Sequence, residues 1–253
     1  MSRQRLGQHF LIRGSVLERI AAAACPAPVD LVIEIGPGRG ALTEKLLKRA
    51  ARVVAVELDP FLADHLRQKF AGEPRLEIVQ ADVLHTDLAQ WGRAALAGNL
   101  PYYITSPILQ QTVRMDIPRA VFLIQKEVAD RLVAHPGSRD YGYLTVQTAL
   151  YAAARELFGV KPAAFHPPPK VDSAVVLLEP HGLQWGVDRE ALLRFMGLCF
   201  QHKRKTLRNN LAEEYGKELV DGWPEAGLRA EQIPLEGFVG MYGRIAGSGG
   251  DTE

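Results

Sequence analysis

Cysteine is scarce in this chain of 253 residues, with Cys25 and Cys199 the two examples. Thiols so few and so far apart exclude a disulfide-stapled scaffold and a zinc finger, and they fit a reducing cytoplasm. None of the seven histidines stands at a metal-binding spacing from Cys, Asp or Glu, so no metal is expected. Long apolar runs are missing too. The most apolar stretch, residues 16–25, is broken by Glu18 and Arg19, and no segment approaches the ~20 apolar residues that cross a bilayer. Residues Met1 to Arg5 lead into no run of signal-peptide length. No Walker-type phosphate loop or Ser-His-Asp arrangement is visible, which argues against triphosphatase and hydrolase chemistry. An excess of one charge is also lacking. The net charge is +1, so composition alone announces no polyanionic partner. The expectation is a cytoplasmic, metal-free enzyme with no membrane contact.

What is present is a rhythm. Between Val29 and Tyr151, β-rich runs at Asp30–Ile35, Arg52–Glu57, Arg75–Gln80, Ala94–Gly98 and Ala120–Gln125 alternate with helical patterns. The helical patterns are Ala41–Arg49, Pro60–Phe70, Ser106–Met115 and Lys126–Val133. Such alternation predicts a parallel, doubly wound α/β sheet. Arg155–Val160 and Ala174–Leu178 follow without a helix between them and read as a hairpin closing the sheet edge. Past Pro180 the strands stop. Asp188 is placed to cap a helix over Arg189–Cys199, and Arg204–Tyr215 and Leu235–Ile245 also read as helices. The expected organisation is a catalytic domain over residues 1–182, a small helical domain over 183–246 and a flexible tail over 247–253.

The chemistry concentrates at strand ends. Glu34-Ile35-Gly36-Pro37-Gly38-Arg39-Gly40 is a strand running into a glycine turn, where backbone can approach a ligand closely. Glu57 ends the next strand and can accept hydrogen bonds from both hydroxyls of a ribose. Asp82 ends the third and can accept from an exocyclic adenine amine. Either acid alone would read as a solvated loop residue. Together the three ends read as a nucleotide site at the carboxyl edge of an open sheet. NAD competes for that reading. Glu34, together with Asn99-Leu100-Pro101-Tyr102 after the fourth strand, favours S-adenosylmethionine. Asn99 Oδ1 and the Leu100 carbonyl can accept from the two hydrogens of an adenine amine and localise its lone pair. Pro101 stiffens the turn, and Tyr102 can stack on the base. Phe165, before the proline run, is the candidate for the opposite face of a flipped-out base.

These residues resemble the ribosomal RNA adenine N6-dimethyltransferase family, in particular its bacterial small-subunit type. The likeness runs from Leu6-Gly7-Gln8-His9-Phe10-Leu11 through the motifs above. It continues through Gln125–Leu132 and Phe165–Ser173 to Gln201–Leu211. It implies a class I (Rossmann-like) S-adenosylmethionine-dependent methyltransferase, with a mostly parallel seven-stranded sheet and a small all-helical C-terminal domain. It places His9, Leu11, Gly36, Glu57, Asp82 and Asn99 at the cofactor. The implied reaction dimethylates N6 of two adjacent adenosines in the 3′-terminal hairpin of 16S rRNA. It acts late in ribosome biogenesis, on the immature 30S subunit, as a monomer without metal. His9 and Tyr103 stand where the family commonly has Asn, and Thr105 where it has Ser.

Lys203, Arg204, Lys205 and Arg208 form a cation cluster with no acid until Glu213, and Arg3, Arg5 and Arg13 add a basic arm. A solvated helix face is the bland explanation. The density of the cluster favours contact with RNA phosphates. Two enzyme alternatives are a methylase of large-subunit rRNA, which the Lys203–Leu211 segment disfavours, and a DNA adenine methyltransferase. For the latter, a helical lobe of this size is small for reading DNA sequence. A third class is an assembly factor whose docking matters more than its methylation.

Overall fold

The structure is a computed structural model that describes residues 9–248. The expected amino-terminal segment Leu6–Gln8, with Arg3 and Arg5, lies outside the described residues, as does the tail beyond Ser248.

The chain divides into two compact units. One comprises residues 1–129 and 153–180, the other 130–152 and 181–253. The first is built on a sheet of seven strands. In chain order its described elements begin with β1 (Phe10–Leu11), α1 (Gly14–Ala24), β2 (Val29–Ile35), α2 (Thr43–Leu46), β3 (Ala50–Glu57), α3 (Pro60–Lys69) and β4 (Leu76–Gln80). They continue with β5 (Ala95–Asn99), α4 (Thr105–Thr112), β6 (Ala120–Gln125) and α5 (Lys126–Leu132), the helix within which the division at residue 129 falls. After α6 (Tyr143–Ala149) come β7 (Ala152–Val160), β8 (Phe165–His166) and β9 (Ser173–Pro180).

The sheet order is β4-β3-β2-β5-β6-β9-β7. The five strands from β4 to β6 are parallel, and β9 returns antiparallel beside β6. Residues 32–35 of β2 and nearly all of β6 are buried, as expected of parallel strands covered on both faces. The expected closing hairpin is therefore present, with β7 at the edge. Chain direction across the sheet reverses between β2 and β5, and ligands bind at such switch points, beyond the carboxyl ends of the strands.

Gly98 allows the two strands at that point to meet. A Cβ built there would lie 2.4 Å from the Ile35 carbonyl oxygen, a backbone atom that cannot swing aside. Gly98→Ala is expected to destabilise the sheet unit by about 3 kcal/mol, a typical upper cost of overpacking, as read by urea denaturation.

Several elements differ from expectation. The helix expected over 41–49 shrinks to the single turn of α2. Its flanks are closed by three-residue bonds such as Lys45 N to Leu42 O at 2.9 Å and Arg49 N to Leu46 O at 2.8 Å. A two-stranded ladder, β1 against β8, was unforeseen, and it ties residues 10–11 to 165–166.

The second unit is helical. It contains α6, α7 (Arg189–Cys199), α8 (Leu207–Tyr215), α9 (Lys217–Asp221) and α10 (Leu235–Ser248). Asp188 caps α7 as its sequence position implied, accepting from Ala191 N at 2.6 Å. Three corrections follow. Residues 130–152 cluster with the C-terminal helices rather than with the sheet, so the boundary at 182/183 leaves out one segment. The helix expected from Arg204 starts at Leu207, and α10 carries through Gly247 and Ser248, which had been assigned to the tail. No helix among the described residues is long and apolar enough to cross a membrane.

Candidate methyl-transfer site

Register alone assembles the site. Ile35 lies beside Gly98 and Val56, so Gly36, Asn99 and Glu57 emerge side by side from β2, β5 and β3. Glu57 in turn pairs with Gln80, two residues before Asp82. Gly36 turns the chain with φ of 68°, a region that favours glycine.

Three hollows meet at Gly36. One, of about 80 Å³, is bounded by His9, Phe10, Glu57, Asn99 and Tyr102. A narrower one, of about 50 Å³, runs between Leu58, Asp82, Val83, Tyr103 and Ile104. The largest, about 460 Å³, lies over the glycine turn against Leu11, Leu17, Glu34 and His166.

Glu57 is nearly buried. Its Oε2 accepts from Gly38 N and its Oε1 from Asp59 N, both at 3.0 Å, so each oxygen keeps a lone pair for a ligand. Burial raises its pKa above the ordinary carboxylate range, against the lowering effect of those backbone donors. Asp82 caps the short turn after β4 by accepting from Leu84 N at 2.9 Å, and its other oxygen lies 3.2 Å from His85 Nδ1.

Asn99 Nδ2 donates to the His9 carbonyl at 2.9 Å, which fixes the amide so that Oδ1 is the end left to accept. The unusual His9 therefore serves Asn99 through its backbone, while its ring nitrogen Nδ1 lies 2.8 Å from the Pro167 carbonyl. Tyr102 is half-buried, with its ring 5.9 Å from that of His9 and its hydroxyl 2.9 Å from Ser173 Oγ. Burial raises the Tyr102 pKa, so the phenol stays protonated.

The structure thus brings together His9, Gly36, Glu57, Asp82, Asn99, Leu100 and Tyr102, with Leu11 on the wall of the largest hollow. It does not bring Phe165 there. That ring is 3% exposed and packs in the core with Leu11, Val160 and Val175. The pairing of β8 with β1 sends Phe165 inward while His166 faces the cavity. Sequence reasoning missed Ser173, whose only signal is its place at the end of the Phe165–Ser173 segment. Tyr103, noted in the sequence only as a departure from the family's Asn, is a 57% exposed ring on the narrow hollow.

Glu34 is fully buried, accepts from Thr43 Oγ1 at 2.6 Å, and has its pKa raised by burial from 4.5 to about 8. Between those values the folded chain holds a proton that the unfolded chain releases, so this group's contribution to stability falls as pH rises through the window. Glu34→Gln keeps an acceptor for Thr43 and cannot ionise. Its stability relative to the parent is expected to climb by a few kcal/mol between about pH 5 and pH 8, as read by denaturation at each pH.

In the helical unit, Lys203, Arg204 and Lys205 sit on an exposed turn rather than on a helix, and Arg208 on α8 is paired with Asp221 at 2.5 Å. Arg204 and Arg208 therefore do not share a helix face. In the sheet unit, Arg119 and Lys126 are paired with Glu179 and Glu156. Among the described residues no group of three or more His, Cys, Asp or Glu side chains could hold a metal ion.

A mostly parallel seven-stranded sheet, with strand-end acids, a glycine turn and an Asn-Leu-Pro-Tyr turn at its switch point, defines a class I, Rossmann-like methyltransferase. A dimethyladenosine transferase from Plasmodium falciparum shares the fold, with a TM-score of 0.82 at 24% identity over 95% of this chain and 98% of that one. The chain belongs to the ribosomal RNA adenine dimethylase family, whose model matches residues 1–231. It is 42% identical to the ribosomal RNA small subunit methyltransferase A of Acidobacterium capsulatum, over 94% of this chain and 89% of that protein. It is also similar to the 23S rRNA methyltransferase ErmE, with a TM-score of 0.69 at 30% identity over 91% of this chain and 98% of that one.

Proposed function

We propose that this protein transfers methyl groups from S-adenosylmethionine to N6 of two adjacent adenosines in the 3′-terminal hairpin of 16S rRNA. It would act on the immature small subunit, in the cytoplasm, as a metal-free monomer. The observation that carries the reading is Asn99, set beside the glycine turn by strand register and held by the His9 carbonyl with Oδ1 free to accept.

The residues suit the cofactor. Glu57 has a lone pair on each oxygen for the two ribose hydroxyls. Leu58, Val83 and Ile104 make an apolar slot for a purine, and Asp82 stands at its rim as an acceptor for the amine. When bound, the cofactor supplies an electrophilic methyl group on a sulfonium.

The chain does the rest by positioning and electrostatics. Asn99 Oδ1 and the Leu100 carbonyl accept the two amine hydrogens of the target adenine. This draws the nitrogen toward tetrahedral geometry and turns its lone pair to the methyl. Leu100 cannot drift, because its N–H donates to the Leu123 carbonyl at 3.0 Å. Tyr102 stacks on the flipped-out base, with its hydroxyl anchored at Ser173. Lys203, Arg204 and Lys205 contact RNA phosphates.

The likeness to a 23S rRNA enzyme favours a second reading, modification of the large subunit. Transfer of tritiated methyl groups to unmethylated small subunits, large subunits and naked 16S rRNA, with mapping of the modified bases, decides. Label confined to large-subunit rRNA would end the primary reading.

A further inference from the structure

Two segments of the helical unit, far apart in sequence, are fastened into one cationic surface. The first is the loop between α5 and α6. Gly137 N donates to the Glu231 carbonyl at 2.7 Å, and the buried Tyr141 donates from its hydroxyl to the Ile233 carbonyl at 2.8 Å. Ser138 N closes a turn on His135 O at 3.0 Å.

The second is the turn after α7. The buried Asn210, from α8, donates through Nδ2 to the carbonyls of Cys199 at 2.7 Å and His202 at 3.3 Å. Lys205 N adds a bond to His202 O at 2.9 Å. This bracing explains why the turn at residues 201–205 runs into the first positions of the helix expected from Arg204, which starts at Leu207 instead.

The two segments are joined by Lys203 Nζ, which donates to the Arg139 carbonyl at 3.0 Å. An ammonium has three protons, so two remain for another acceptor. Arg139, Lys203, Arg204 and Lys205 are all exposed, and none has a carboxylate partner among the described residues. Elsewhere in the unit, Arg208 and Arg244 are neutralised by Asp221 and Glu225. The single acid in either segment is Asp140. An unneutralised group of four cations on a braced backbone suits a polyanion, because little loop freedom remains to be lost on binding.

We propose that the His135–Asp140 loop is the second half of the RNA-phosphate surface, with Arg139 gripping the rRNA backbone alongside Lys203, Arg204 and Lys205. The proposal rests on the reading of the 203–205 cluster as an RNA contact, and the test separates the two.

Binding of the full-length protein to unmethylated small subunits would be measured over a salt series for Arg139→Ala, Asp140→Asn and Arg204→Ala. Thermal unfolding and S-adenosylhomocysteine affinity would be followed as checks on folding. Arg139→Ala should weaken binding about three- to tenfold at physiological salt and reduce the log–log salt slope by about one, as loss of one phosphate contact does. Asp140→Asn should shift affinity the opposite way, and neither should move cofactor affinity or unfolding. Parent-like binding and slope for Arg139→Ala, with a loss for Arg204→Ala, would overturn the loop's role and leave the cluster reading intact. Parent-like behaviour of both variants would overturn the cluster reading as well.

Discussion

Asn99→Ala is expected to abolish methyl transfer, with a rate loss of about 10²–10³-fold or more, the scale seen when one preorganised hydrogen-bonding group is removed from a site that stabilises developing charge. The reasoning is geometric. In the proposed mechanism two acceptors face two amine hydrogens, and one of them is Asn99 Oδ1, aimed by the bond from Nδ2 to the His9 carbonyl. With alanine, a single acceptor remains and the adenine nitrogen relaxes toward its planar, unreactive form. Binding to small subunits should stay within about twofold, because phosphate contacts dominate affinity for RNA. Single-turnover transfer and subunit binding, measured on the same preparation, check both halves. The result also separates catalysis from a pure docking role, since an assembly factor would lose nothing it needs. Dimethylation at the parent rate would refute the acceptor mechanism. Asn99→Asp sharpens the test. It keeps an oxygen but replaces the donor to His9 with a second acceptor, so a large loss is expected there too.

Glu57→Ala is expected to weaken cofactor binding by about 10²–10³-fold, read by calorimetry with S-adenosylhomocysteine. Hydrogen bonds to a charged group contribute about 1.5–3 kcal/mol each, and two to one carboxylate fall short of additive. The variant also strands Gly38 N and Asp59 N, which Glu57 satisfies in the fold, so the glycine turn should loosen. A pH signature distinguishes this from simple damage. Burial raises the pKa of Glu57, so its ionised form is lost on acidification at a higher pH than for an ordinary carboxylate. Cofactor affinity of the parent should therefore fall as pH drops toward that range, while Glu57→Gln, weaker throughout, should show a flatter profile. A parent profile as flat as that of the glutamine variant would remove Glu57 from the ribose role.

Much of the sheet was legible because parallel strands buried on both faces read as unbroken apolar runs, as in residues 120–124. The place of the Asn-Leu-Pro-Tyr turn beside the glycine turn was legible because its residue types are unusual in combination and fall at strand ends. Local signals served well where they act alone, as at Asp188. They failed where distant partners decide. The helical propensity of residues 204–206 is overridden by Asn210, which draws the carbonyls of Cys199 and His202 together. Phe165 looks available in a proline-rich segment, and only its pairing with Leu11 turns the ring into the core. The bond from Tyr102 to Ser173 joins residues 71 positions apart, a reach no spacing rule covers. The 130–152 segment carries its own helix, and nothing in its periodicity says which unit that helix joins.

The short ladder of β1 on β8 carries one more implication. It is what places the His9 carbonyl over Asn99. Without that oxygen the carboxamide could rotate by half a turn and set its own hydrogens against the amine hydrogens that Oδ1 is placed to accept. On the proposed mechanism, the polarity of the reacting corner would then be reversed with every residue assigned to it still present. The first strand, two residues long, thus acts as the key that sets which way round a symmetrical-looking side chain works.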